Sequence, residues 1–322
     1  MVHFFDIGTR PVLRGRGRFP KMTTKKMLMS LLPRRARKCV LIVSPCLLAI
    51  VAVCLSPAGR AQEPASTAAA APDRAPKLAG IAHAAIRVSN LEKSRDFYGQ
   101  LGYEEAFNMS QGGKTTQSFV KINDRQFIEL YSQRQPSDTI GFMHVCFESA
   151  DIQALHDRYV ALSLTPIAVR KAGAGNLLFT LAGPEKQNIE YTQYMPGSKH
   201  TNDKGLHLGA NRVSEQMVAV GVEMQDPAAA TAFYKDKLAF VPGAPLAAGQ
   251  TWLSLPGLPS QEIEIVQHAP GSAFQLFFGV GDLRQTAAKL KALGIPVEKS
   301  RSMLSIHDPD GNRLIFLKVK PA

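Results

Sequence analysis

Residues 81–102 read IAHAAIRVSNLEKSRDFYGQLG, an alternating apolar run, a short polar turn and a helical stretch ending on Phe97-Tyr98. The same order returns at 216–240, QMVAVGVEMQDPAAATAFYKDKLAF, which carries Phe233-Tyr234. A second pair follows the same plan. FMHVCFESADIQALHDRYVALSLTP (142–166) parallels FQLFFGVGDLRQTAAKLKALGIP (274–296). Asp151 and Asp282 stand at the two helix starts, where a carboxylate can accept from free helical N–H groups, and Pro166 and Pro296 close the exits. Self-similarity at this scale means repeated supersecondary units.

Each helix is followed by short β-type runs: YEEAFNMS, TTQSFVKIN and QFIELYSQ in the first unit, then PIAVRKA, NLLFTLA and QNIEYTQY in the second. TWLSLPG, EIEIVQHA and NRLIFLKV continue the pattern in the later units. Every unit therefore reads βαβββ. The expected fold class is α+β, with four such units in two modules, 78–196 and 213–322. The polar, Gly- and Lys-containing stretch 197–212 is expected to link them.

The chain has 322 residues, enough for two cores, and a net charge of +12. That charge does not indicate nucleic acid. Residues 1–61 hold 12 Lys/Arg and one acid, Asp6, so the remaining chain is left with about +1 and no basic face. Arg34-Arg35-Ala36-Arg37-Lys38 runs into the apolar stretch 39–56 and then small residues at Gly59 and Ala61, the layout of a secretory signal cleaved after Ala61. Export to the periplasm or beyond is the expectation. The alternative is an uncleaved N-terminal helix, which would be the protein's one link to a membrane. Residues 62–77 contain six Ala and three Pro and read as a tether. Three of the four cysteines fall in the leader, so the mature chain keeps Cys146 alone and forms no internal disulfide.

The arrangement resembles the vicinal oxygen chelate superfamily, which includes glyoxalase I, bleomycin-resistance proteins and extradiol dioxygenases. The resemblance rests on I-x-H-x-x-I-x-V at 81–88, Phe97-Tyr98, F-I-E-L at 127–130, M-H-V at 143–145, N-I-E-Y at 188–191 and Asp308-Pro309-Asp310-Gly311-Asn312. It implies that two units curl into an open eight-stranded mixed sheet around a cavity. It also implies metal ligands on the first and last strands of each unit, which here are His83, Glu129, His144 and Glu190. Their spacing is regular: 46 residues separate His83 from Glu129, and 46 separate His144 from Glu190. Unpaired carboxylates inside apolar runs are costly, and a shared divalent cation would relieve that cost. Two imidazoles and two carboxylates suit Zn, Ni, Mn, Co or Fe without choosing among them. At the matching places the second module is expected to carry Met217, Glu264, Gln275 and Ile315, and so no metal.

The resemblance implies further roles. Arg87, four residues after His83 on the same strand face, is the candidate for holding a substrate anion. Tyr131 is a candidate to orient a substrate oxygen, and Glu190 or Glu129 to move a proton. Cys146 reads as a small buried hydrophobe, Lys171 as a cation near the cavity mouth, and His156 as a residue of a polar helix face. The expected partner is a small molecule, with the chain a monomer or homodimer.

Three functions follow from this set. The first is a metal-dependent lyase, isomerase or epimerase working through an enediolate. The second is an Fe(II) extradiol-type dioxygenase on His83, His144 and Glu190, for which His156 is the one further histidine in the first module. The third is a non-enzymatic binder of the resistance type. Against glyoxalase I itself stand Gly183-Pro184-Glu185-Lys186-Gln187-Asn188 in place of an Asp-Pro-x-Gly-Asn turn, and Ile140 where a basic residue for glutathione is expected.

Overall fold

The computed structural model describes residues 77–245, 250–269 and 273–319. The leader and nearly all of the Ala/Pro tether lie outside the described residues. Among the described residues no helix is long and apolar enough to cross a membrane.

The first module opens with β1 (Leu78–Val88), α1 (Leu91–Gln100), β2 (Glu104–Gln111), β3 (Lys114–Asn123) and β4 (Gln126–Ser132). It repeats the plan with β5 (Gly141–Ser149), α2 (Ile152–Ala161), β6 (Arg170–Lys171), β7 (Leu177–Ala182) and β8 (Asn188–Gln193). A short helix, α3 (Lys199–Asn202), precedes the second module. That module comprises β9 (Gln216–Met224), α4 (Pro227–Asp236), β10 (Val241–Pro242), β11 (Thr251–Leu255) and β12 (Leu258–Gln267). It ends with β13 (Gln275–Val280), α5 (Leu283–Ala292), β14 (Glu298–Lys299), β15 (Met303–His307) and β16 (Arg313–Lys318). All four units are βαβββ. PIAVRKA, read as a full strand, is regular strand only at Arg170–Lys171, though the Ile167 N–H also donates to the Thr180 carbonyl of β7 at 2.9 Å.

The four helices of these units start on side-chain caps: Asn90, Asp151, Asp226 and Asp282 each accept from N–H groups of the first turn. Each module folds into one eight-stranded mixed sheet, and the two strand orders are the same. The first is β2-β3-β4-β1-β5-β8-β7-β6 and the second β10-β11-β12-β9-β13-β16-β15-β14. The first strand of each unit pairs parallel with its fourth, and the two first strands pair antiparallel at the centre. Side chains alternate along β1, so Ala84, Ile86 and Val88 join the hydrophobic core while His83 and Ala85 share the opposite face. One continuous apolar core runs through both modules and takes in Tyr98, Tyr159 and Tyr234 from the helices.

The modules bind each other through reciprocal contacts. Gln126 brackets the Met217 backbone, accepting from its N–H at 2.9 Å and donating to its carbonyl at 2.8 Å. Gln261, at the same place in the second module, accepts from the Ile81 N–H at 2.6 Å. The hairpin turns exchange partners too. Asp310 accepts from the Ser89 N–H ahead of α1, and Glu185 accepts from the Gln225 and Asp226 N–H groups ahead of α4. The turn 183–188, which departs from the Asp-Pro-x-Gly-Asn pattern, thus does in the first module what Asp308–Asn312 does in the second.

The segment 197–212 packs closely on the first module. Lys121, fully buried, donates to the Asp203 carboxylate at 2.7 Å and to the Leu206 carbonyl at 2.7 Å. Gly102 sits at φ +84°, and a Cβ there would lie 2.3 Å from the Asn211 carbonyl oxygen, so only glycine allows the approach.

Candidate metal centre

Four strands deliver four polar side chains to one point on the inner face of the first sheet. His83 comes from β1, Glu129 from β4, His144 from β5 and Glu190 from β8. The register explains the convergence. Ala85 pairs with both Glu129 and His144, so the two ligands flank one position of the central strand, and His83 is paired with Cys146, itself opposite Glu190.

His83 Nε2 lies 3.0 Å from Glu129 Oε2, 3.2 Å from His144 Nε2 and 3.4 Å from Glu190 Oε1. His144 Nε2 is 3.9 Å from each of the two carboxylate oxygens. His83, Glu129 and His144 are all under 9% exposed. One imidazole N–H cannot serve three partners at once, and two facing Nε2 atoms cannot both be acceptors without repulsion. The donor atoms converge as they would around a cation, and the set fits a divalent metal. Glu129 Oε1 accepts from the Tyr131 hydroxyl at 2.9 Å, so both oxygens of that carboxylate are engaged.

Burial would raise the Glu190 carboxyl, but the His83 hydrogen bond and the neighbouring imidazoles pull it down to about 2. Burial acts the same way on Glu129, and His83 again overrides it downward. Burial, joined by the charge of His83, lowers His144. Burial and the Glu129 charge push the Tyr131 phenol well up, so it remains a proton donor.

A cavity of about 200 Å³ opens beside the cluster. His83, Glu129, Glu190, Tyr131, Gln117 and Arg170 are among its walls. Arg87, the expected anion holder, does not line it. The side chain turns to the Thr139 carbonyl at 3.2 Å, beyond a register shift in the β1–β5 pairing. The cation on the wall is Arg170, the neighbour of Lys171. His156, expected on a polar face of α2, is half-buried, bonded to Asp157 and edge-on to the core residue Phe179, and does not line the cavity.

Cys146, expected as a small buried hydrophobe on the face of His144, is fully buried and also offers its thiol within 4.8 Å of ligand atoms of His83 and Glu190. Burial pushes that thiol up to about 12. Its parity with His144 is the signal that locates it. His200, from α3, is also in the cavity wall. No spacing rule points to it, because it belongs to neither sheet.

The second module holds a different set at these places. Gly221 pairs with Glu264, as Ala85 pairs with Glu129, and Ala219 pairs with Phe277, as His83 pairs with Cys146. The His83 place is therefore Ala219 and not Met217, which aligns with Ile81. The remaining places are Glu264, Gln275 and Ile315. Ala219, Phe277, Ile315 and Trp252 form their own apolar cluster.

Residues 80–191 match the family model described as Glyoxalase/Bleomycin resistance protein/Dioxygenase superfamily. No curated protein matches the chain. Among solved structures, an extradiol ring-cleaving dioxygenase from B. fuscum is similar with a TM-score of 0.59 and 16% identity, over 77% of this chain and 74% of that one. The 2,3-dioxygenase LapB from Pseudomonas sp. KL28 is similar at 0.58 and 15%, over 77% and 94%. The Mn(II)-bound glyoxalase from Novosphingobium aromaticivorans is similar at 0.58 and 14%, over 75% and 82%. At these identities the likeness is one of fold: two such modules in tandem.

Proposed function

We propose that this protein is a metal-dependent lyase, isomerase or epimerase acting on a small substrate with two adjacent oxygens. The observation that carries the reading is the fourth donor. Glu129 stands 3.0 Å from His83, inside the cluster, so the set is two histidines and two carboxylates. A dioxygenase on His83, His144 and Glu190 would need only one.

His83, Glu129, His144 and Glu190 would hold one divalent ion, from among Zn, Ni, Mn, Co and Fe. That ion would act as a Lewis acid, spreading the negative charge of an enediolate. Tyr131 ties Glu129 in place through its hydroxyl and would keep the other carboxylate oxygen directed at the ion. Glu190 is the less enclosed carboxylate, 13% exposed against 6% for Glu129. It is therefore the group that takes a proton from the substrate carbon and returns it to a neighbouring atom. Arg170 at the wall is placed to hold an anionic group of the substrate, the role first expected of Arg87. The leader, Arg34–Ala61, supports export of the mature chain.

The test is solvent deuterium exchange by NMR, using glycolaldehyde, dihydroxyacetone and lactaldehyde with protein loaded in turn with Zn, Ni, Mn and Co. Exchange at the carbon bearing the hydroxyl, lost by at least about 100-fold in Glu190→Gln assayed with enough added metal to restore full occupancy, is the expected result. Cleavage of catechol with Fe(II) and O₂ would replace the reading by a dioxygenase. Tight ligand binding with no exchange on any metal would replace it by a binder.

A further inference from the structure

His200 is brought to the cavity by α3, is 5% exposed and is enclosed by rings. Phe107, Phe119 and Phe127 meet it edge-on at 4.9, 5.5 and 4.8 Å between centroids, and Tyr194 stacks on it at 5.0 Å. This cage fixes the ring plane.

The tautomer can be read from its one hydrogen-bond partner among the described residues. The Met195 backbone N–H, which can only donate, gives a hydrogen bond to Asn176 Oδ1 at 3.3 Å. That fixes the Asn176 amide, so its Nδ2 faces His200 Nδ1 at 2.8 Å. An amide nitrogen only donates, so Nδ1 accepts and the proton sits on Nε2. His200 Nε2 is buried and has no partner. Burial also holds the imidazole neutral, lowering it to about 3. A buried donor left unpaired is costly, and in a cavity wall a ligand can supply the acceptor.

We propose that His200 is a substrate-binding residue whose Nε2–H donates to an oxygen of the ligand in the cavity beside His83, Glu129 and Glu190. The segment between the modules thereby becomes part of the site and selects ligands with an acceptor oxygen, such as a carbonyl, a carboxylate or an enolate. The inference rests on the reading that this cavity is the substrate site of a metal centre.

Oxalate is a suitable probe, because two of its four oxygens remain free when two adjacent ones bind a metal. Calorimetry would measure first Zn and then oxalate binding to the full chain. Long-range ¹H–¹⁵N NMR would read the His200 tautomer. We expect a proton on Nε2 that shifts when oxalate is added. We also expect oxalate affinity to fall about tenfold in His200→Phe with Zn affinity unchanged, and to be largely kept in His200→Gln, whose amide can donate. Asn176→Asp is a second variant, which keeps an acceptor for Met195 and moves the His200 proton to Nδ1; it should lose oxalate affinity as His200→Phe does. A proton already on Nδ1 in the wild type, or wild-type oxalate affinity in both His200→Phe and Asn176→Asp, overturns the inference and leaves the metal centre standing. Failure of the wild type to bind Zn overturns the metal reading itself, and this inference with it.

Discussion

The two modules share one strand order and differ in what fills the concave face. At matching places the first has His83, Glu129, His144, Cys146 and Glu190, and the second has Ala219, Glu264, Gln275, Phe277 and Ile315. Trp252 packs edge-on against Phe277 at 4.9 Å and closes the second face with apolar groups. The same scaffold thus makes a polar cavity or a solid core according to a handful of side chains. Glu264 is the instructive remnant. It stands where Glu129 stands, but its Oε2 is buried with no hydrogen bond, and burial lifts the carboxyl to about 7. One carboxylate in such a place is a liability, whereas two with two imidazoles form a site.

The sharpest way to break this comparison is to empty the second face. Phe277→Ala should lower stability by about 3–5 kcal/mol, read by urea unfolding, without changing metal content. Cys146→Ala, at the matching place in the first module, should cost only about 1 kcal/mol. Equal losses would mean that the two faces are packed alike.

The paired carboxylates come next. Glu129→Gln should weaken metal binding by about 100-fold or more, since it removes a donor rather than a supporting hydrogen bond. Glu264→Gln should leave metal binding alone and change the pH dependence of stability. The unfolded Glu264 carboxyl loses its proton near 4.5, whereas the folded one keeps it until about 7. Between those values the folded state binds more protons, so stability falls as pH rises and then levels off above about 7. The loss is of the order of 3 kcal/mol. Glu264→Gln should abolish that fall and exceed the wild type at pH 8 by a similar amount. A variant that tracks the wild type at every pH would show that Glu264 is solvated.

The smallest effect expected is that of Tyr131→Phe. Losing the hydroxyl that holds Glu129 should weaken metal binding about fivefold, the worth of about 1 kcal/mol, as measured by competition with a chelator.

The fold and the four-residue cluster are legible in the sequence because both are periodic. Helix caps, Phe-Tyr pairs and proline exits repeat, and equal intervals of 46 residues place His83, Glu129, His144 and Glu190 at equivalent strand positions. One misplacement is a matter of counting: set from the start of β9, Met217 falls opposite His83, whereas the 14 residues from His83 to Phe97 and the pairing of Ala219 with Phe277 both put Ala219 there. Arg87 has the right parity, yet a shift in the β1–β5 pairing lets it turn to Thr139 while Arg170 takes the wall. His200 is invisible to any period, because the segment that carries it is positioned by tertiary contacts such as Lys121 with Asp203.

The most direct measurement is metal content per chain by elemental analysis of the untagged protein, alongside His83→Ala/His144→Ala and Glu264→Gln. The account predicts one divalent ion per chain in the wild type and in Glu264→Gln, and none in the double histidine variant. A chain that takes up no ion after reconstitution, or one that keeps its ion without His83 and His144, would contradict it.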